Sequence, residues 1–540
     1  MCSNHQPNAS LKDQKKHDHE HKTWSRRAFV QTLGLSTAGG MMLSNTLVSA
    51  AKPSLLSAAL SNSDNDRILI IVRLKGGNDG LNTIIPKYDY DTYANYRPTL
   101  RILENQVLNL NANFGLPPYM QDAKAMWDTG RMKVVHGVGY NDSSLSHFQG
   151  SDNWATTDVV NEQETTGWMG RYLNELYPDY IFNPPTIPPA IQIGNQGNRI
   201  FEGGDVNLAM TVANPQKLFQ IASEGVLFSM DNIPDGLYGD QAEFLRAQAN
   251  STLSYAGVIK DAYDASTDAA TGYTDGRLSE QLSLVARLIK GNLGTKIYFV
   301  ELDGFDTHVN QQGDHEYLLN ELATSMKAFH DDLDDAGFSD RVLSMTISEF
   351  GRRTFENGSN GTDHGASSQM MLFGAALNDQ GFVGTHPDLS NLNQQGNLDY
   401  LIDFRQVYHT VLSEWLCLDP ALINVALLGE NFDSLPLGFT CQNLGNEEIV
   451  AGSQFIHGAL YENNQVFVGF QLQQDQHVDI KLYAMTGQQV ATLKNEFLFA
   501  GEYKVPVKSI TQNATILPGT YMYRLATRNG YYSKLLVIPN

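Results

Sequence analysis

Cysteine is scarce, with three residues in a chain of 540, so no dense disulfide framework organises this fold. Excess basic charge is also missing. Lys and Arg number 37 against 59 Asp and Glu, a formal charge of −22, which argues against a nucleic-acid binder needing a basic face. No segment after the N-terminal region is apolar enough to span a bilayer. No spaced G-x-G-x-x-G opens the first helix, which disfavours a dinucleotide oxidoreductase; the glycines of "KGGNDG" are too few and badly placed. What is present suits globular folding: 42% hydrophobic and 10% aromatic residues, in a chain too long for one compact core.

The N-terminus reads as an address. A polar, His/Lys-rich stretch (1–24) precedes "SRRAFVQTLGLSTAGGMMLSNTLVSAA", with adjacent Arg26 and Arg27, a mildly apolar run, and small residues at Val48-Ser49-Ala50. The Ser-Arg-Arg-x-Phe arrangement of 25–29 resembles a twin-arginine signal, so 1–51 is assigned to export through that machinery. Cys2 and the histidines at 5, 17, 19 and 21 belong to this leader, leaving Cys417 and Cys441 in the mature chain. Export permits a disulfide between them, and the sequence leaves that pairing open.

From about residue 66, short apolar runs alternate with helix-length amphipathic stretches. "RILIIVRL" (67–74), "RMKVVHGV" (131–138), "KIYFVEL" (296–302), "RVLSMTIS" (341–348) and "MMLFGAAL" (370–377) read as buried strands. Residues 316–337 have helical periodicity and close on Gly337; 402–416 read as a second helix. The alternation predicts an α/β domain over 66–430 with a mostly parallel central sheet. A linker (431–455) follows, then short alternating runs separated by turns, predicting a small all-β sandwich over 456–540.

In open α/β sheets, sites form beyond the carboxyl ends of the strands. Those positions are loaded with polar side chains here. Asp79 follows the first strand, Ser143, Ser144, Ser146 and His147 the second, Asp303, Asp306 and His308 the third. Glu349, Arg352, Arg353, Asp363 and His364 follow the fourth. Carboxylate oxygen mixed with imidazole nitrogen suits Zn, Mn or Fe rather than Ca. Asp363 and His364, adjacent in "GTDHGA", point to opposite sides of an extended backbone and so could serve two neighbouring ions. Asp306 and His308, two apart, point the same way and could share one. A serine hydroxyl at such a centre can attack a phosphate or sulfate ester, and Arg352 or Arg353 can clamp its oxyanion. Each piece also has an ordinary use, as an Asx-turn for Asp79, a helix cap for the serines or surface ion pairs for the arginines.

The segments "RLKGGNDGLNTIIP", "SHFQGSDNW", "TGWMGRYL", "KIYFVELDGFDTHVNQ", "SEFGRRTFENGSNGTDHG" and "DFRQVYHTVLSEWL" resemble, in order, the twin-arginine-exported family called domain of unknown function 1501. That family is regarded as part of the alkaline phosphatase–sulfatase superfamily, which implies an alkaline phosphatase-like α/β core with one or two divalent metal ions. The resemblance implies Asp79 as first ligand, Asp363 and His364 as the late pair, and Asp306 and His308 as a looser match to the other pair. Ser146 takes the nucleophile position, with Ser143 or Ser144 as alternatives; without a cysteine there, a formylglycine sulfatase is disfavoured. "DIKLYAMTGQQVATL" and "GTYMYRLATRNGYYSKLLVIPN" resemble the C-terminal sorting domain of type IX secretion cargo. The expectation is a secreted or cell-surface metal-dependent hydrolase, passing through the periplasm and acting on a small-molecule or polysaccharide phosphate or sulfate ester. The rival is a non-catalytic surface protein that keeps the fold to bind glycans or assist assembly.

Overall fold

The computed structural model describes residues 66–441, except 205, 232, 235, 270, 271, 378, 394 and 440, together with most of 457–538. The signal reading of 1–51 and most of the 431–455 linker lie outside the described residues. Nine strands build the central sheet: β1 (Ile68–Lys75), β2 (Met132–Gly139), β3 (Ala190–Ile193), β4 (Ala209–Val212), β5 (Ile297–Asp303), β6 (Val342–Ser348), β7 (Ser368–Phe373), β8 (Gly381–Val383) and β9 (Ile402–Asp403). Their order is β8-β2-β7-β6-β1-β5-β3-β4, with β9 beside β2.

Only β7 runs against its neighbours, β2 and β6. The other pairings are parallel, as the alternating sequence predicts. Both faces are covered: Ile70, Val72 and Leu74 enter one core, Leu69 and Ile71 the other. Two-sided burial explains why these strands read as continuous apolar runs rather than as alternation. The register sets Lys75 opposite Asp303 and Leu74 opposite Ser348, so β1, β5 and β6 end on one rim.

The predicted helix over 316–337 begins earlier, as Gln311–Asp335, and Gly337 follows it at φ 75, a left-handed position that glycine adopts without a Cβ clash. The stretch expected as one helix over 402–416 divides. Asp403 and Gln406 form a capping box that starts an α-helix over Phe404–Thr410, which widens into a π-turn over Val411–Trp415. Strands β3 and β4 and the helices Leu237–Asp264 and Arg277–Lys290 complete the architecture. Cys417 and Cys441 form a disulfide. Among the described residues, no helix is long and apolar enough to cross a membrane.

Toward the C-terminus, His457–Glu462, Gln465–Leu472 and Gly501–Val507 form one antiparallel sheet. Gln476–Ala484, Gln489–Leu498, Gly519–Thr527 and Gly530–Ile538 form a second. Val468 and Phe470 of the first sheet and Ile480, Leu482, Tyr523 and Leu525 of the second share one core.

Candidate metal centre

The loop after β5 carries Asp306 and His308. Glycine at 76 lets the β1 loop pass against it, because a Cβ there would lie 2.3 Å from the Asp306 backbone nitrogen. His147 opens the helix His147–Thr156 behind Ser146, whose hydroxyl makes no cap bond to that helix. His364 lies in a short hairpin opposite Arg352. Three separate loops therefore deliver one cluster.

Asp306 Oδ1 is its hub. It lies 3.3 Å from His147 Nε2, 3.2 Å from His308 Nε2 and 3.4 Å from His364 Nε2. Each imidazole faces a separate oxygen through Nδ1. His147 meets Glu349 Oε2 at 2.6 Å, His308 meets Asp363 Oδ1 at 3.1 Å, and His364 meets the Leu145 carbonyl at 2.7 Å. This network assigns the Nδ1–H tautomer to all three rings and leaves three Nε2 lone pairs turned toward one carboxylate oxygen. His308 Nε2 and His364 Nε2 are 2.8 Å apart, both lone-pair bearers in that assignment. Lone pairs at that separation repel unless a cation stands among them.

His147, Asp306 and His364 offer ligand atoms within 4.8 Å of one another, a group that could hold a metal ion. The spacing of about 3.3 Å around Asp306 is also the edge of a tetrahedron with roughly 2.0 Å bonds. Protonation states agree. Burial is the largest influence on His364; it lowers the pKa and favours the neutral ring. Burial works against the Asp306 carboxylate, yet the Arg352 hydrogen bond and charge hold its pKa below the usual value. For Asp363, hydrogen bonds from Asn357 and His308 and the charge of Arg353 likewise outweigh burial and lower the pKa.

The remaining predicted residues take other places. Asp79 is buried, accepting from Arg97 Nη1 and Nη2, from Gln311 Nε2 and from the Asn82 backbone. These four donors match the roughly four lone-pair sites of a carboxylate. Arg352 has no exposed side-chain surface. It donates to the Gly76, Gly77, Phe305 and Thr362 carbonyls and, at 2.8 Å, to Asp306, so it positions that carboxylate and the loops around it. Arg353 is half-buried, its backbone nitrogen bonded to the Asp363 carbonyl. Leu145 adopts φ 57, uncommon for leucine, and that turn aims its carbonyl at His364. It holds the loop of Ser143, Ser144 and Ser146 beside the cluster, with Ser144 and Ser146 exposed.

Sequence reasoning placed His147 and Glu349 at strand ends and gave neither a role. Their partnership spans 202 residues, and no local spacing encodes it. His386 packs with His136 and Phe114, and His330 bonds Ser344; both are parts of the core.

Fold and site define a mixed α/β protein with a histidine–aspartate cluster beyond the carboxyl rim of a mostly parallel sheet. The family model described as "Protein of unknown function (DUF1501)" matches residues 66–419, and the chain belongs to that family. No curated protein matches it. Among solved structures it is similar to a protein in the alkaline phosphatase superfamily from Vibrio parahaemolyticus, at 9% identity, 87% of this chain, 91% of that one and TM-score 0.28. It is also similar to the PsFucS1 sulfatase from Pseudoalteromonas sp. (9%, 85%, 88%, TM-score 0.30). A third is the alkaline phosphatase from the Antarctic bacterium TAB5 (8%, 58%, 94%, TM-score 0.23). At such scores the α/β assignment rests on the strand order itself.

Proposed function

We propose that this protein is an exported hydrolase of phosphate or sulfate esters that works with one divalent cation. The observation that carries the reading is the convergence of three imidazole Nε2 atoms on Asp306 Oδ1, each ring anchored by an oxygen at Nδ1. His147, His364 and Asp306 would hold the ion, with His308 beside them, and the mixed nitrogen–oxygen set favours Zn, Mn or Fe over Ca. When bound, such a cation polarises the ester oxygen and favours the ionised nucleophile.

The chain's own groups do the rest. Glu349 and Asp363 orient His147 and His308, and Arg352 fixes Asp306. Ser146 supplies the attacking hydroxyl, Ser143 and Ser144 being the alternatives on the same loop. Arg353 is the cation left to steady the ester oxygens. Asp79, saturated by Arg97, Gln311 and Asn82, supports the single-ion reading. The twin-arginine leader and the type IX-like tail support delivery to the cell surface or medium.

Elemental analysis of the tag-free mature protein, with hydrolysis of aryl phosphates and sulfates before and after chelation, tests this. One equivalent of Zn, Mn or Fe and chelator-sensitive turnover that His364→Ala abolishes are expected. Absence of metal, or His364→Ala turnover equal to wild type, refutes it.

A further inference from the structure

A second polar site opens on the same rim. A cavity of about 1150 Å³ lies beyond β3 and β5, bounded by the loop after β3 and by residues of the helices Leu237–Asp264 and Arg277–Lys290. That exceeds the roughly 300–1,000 Å³ of small-molecule pockets and leaves room for an extended chain. The lining is rich in carboxamides, with Asn195, Gln196 and Gln216 exposed on one wall. Tyr263 and Tyr273 line the other, with the Arg287 guanidinium 3.4 Å over the Tyr263 ring.

Charge narrows the ligand. Four cations line the groove (Arg73, Lys75, Arg277, Arg287) and four acids balance them (Asp268, Glu280, Glu301, Asp303). Lys75 pairs with Asp303 at 3.0 Å, Arg73 with Glu301 at 3.4 Å and Arg287 with Asp268 at 3.4 Å. Arg277 donates to the Asp303 carbonyl at 3.0 Å, and four acids against four cations leave no net positive charge for a polyanion. An extended peptide would look for a free sheet edge, yet β3 and β5 are each paired on both sides. Carboxamides both donate and accept, as sugar hydroxyls do.

We propose that this groove binds a neutral, hydroxyl-rich oligosaccharide. Arg73 is the shared wall between groove and centre. Its Nη2 donates to Glu349 Oε1 at 2.7 Å, and the other oxygen of Glu349 meets His147 Nδ1 at 2.6 Å. A glycan running past Arg73 is carried toward the cluster. Sugar binding stands by itself; only the arrival of an ester on that glycan at the centre rests on the hydrolase reading.

Isothermal titration of the mature full chain with neutral hexasaccharides of glucose, xylose and galactose tests it, with a sulfated hexasaccharide and a hexapeptide as further arms. At least one neutral hexasaccharide binds, and Asn195→Ala/Gln216→Ala weakens it roughly tenfold, the loss expected for two hydrogen bonds. His364→Ala leaves that affinity unchanged, and a cooperative melting transition shows each variant folded. No neutral binding, binding of the sulfated oligomer or the peptide alone, or unaltered affinity in the double variant overturns the proposal. Sugar binding without ester turnover would sink the hydrolase reading and leave the groove standing; turnover without sugar binding would do the reverse.

Discussion

Asp79 and Arg97 face each other as a two-point ion pair with no exposed surface on either side chain. Arg97 also donates to the Thr354 carbonyl at 2.9 Å and the Arg353 carbonyl at 2.8 Å, so the pair ties the β1 loop to the segment that carries His364. Burial alone would raise the Asp79 pKa, and the Arg97 charge and hydrogen bonds lower it instead.

Asp79→Asn leaves the Arg97 charge unpaired in the interior, a change that costs about 3–5 kcal/mol in buried pairs. Chemical denaturation should report that loss, while elemental analysis still finds one metal per chain. If Asp79→Asn removed the metal and left stability untouched, Asp79 would be a metal ligand and not the partner that neutralises Arg97.

The centre should sort its variants by contact. His147→Ala or His364→Ala removes a ligand and empties the site. Glu349→Gln keeps the ligand but alters the acceptor on His147 Nδ1, and outer partners of this kind are worth about 10–100-fold in metal affinity. Competition with a chromogenic chelator measures both effects; equal affinity in Glu349→Gln and wild type contradicts the orienting role.

Acid should weaken the fold through buried imidazoles. Burial lowers the His136 pKa to about 3 and that of His386 to about 4, and their rings lie 5.2 Å apart. The unfolded chain protonates histidine near pH 6.5. The unfolded state therefore binds more protons between about 6.5 and these lowered values, so stability rises with pH there and is lost as pH falls. His136 stacks on Phe382 with centroids 4.7 Å apart, so His136→Phe keeps an aromatic ring and removes one titration. Melting temperatures from pH 7 to 4 should fall less steeply in that variant; parallel curves would exclude this source of acid sensitivity.

The disulfide spans 24 residues of sequence. Closing a loop of that length stabilises by about 3–4 kcal/mol in the chain-entropy treatment. Reductant, or Cys417→Ser/Cys441→Ser, should lower the midpoint of denaturation accordingly. An unchanged midpoint would show that the unfolded chain gains nothing by losing the link.

The sequence was most legible where burial is two-sided. β1, β2, β5 and β6 are Val/Ile/Leu runs because both faces of the sheet are covered, and their ends pointed to the rim where the cluster forms. β3 and β4, at four residues each, are too short to show a period. The helix over 402–416 looked uniform because a π-turn keeps an apolar face and leaves no trace in composition. Asp306, His308 and His364 were readable as strand-end groups. Asp79 reads the same way, and nothing local tells of its ion pair with Arg97, eighteen residues on. His147 had no assigned role for a similar reason, its partner Glu349 arriving from a different strand.

The lone antiparallel strand has a consequence for how such a centre can vary. Because β7 runs against β6, the chain that leaves the sheet at Ser348 re-enters it at Ser368 on the same rim. Glu349, Arg352, Arg353, Asp363 and His364 thus sit in an insert with both ends anchored side by side. Each doubling of such a loop costs only about 0.6 kcal/mol in closure entropy. The segment is exchangeable: length and side chains can be traded there without rethreading a strand, which makes this loop the natural place to graft a different ligand set onto the same sheet.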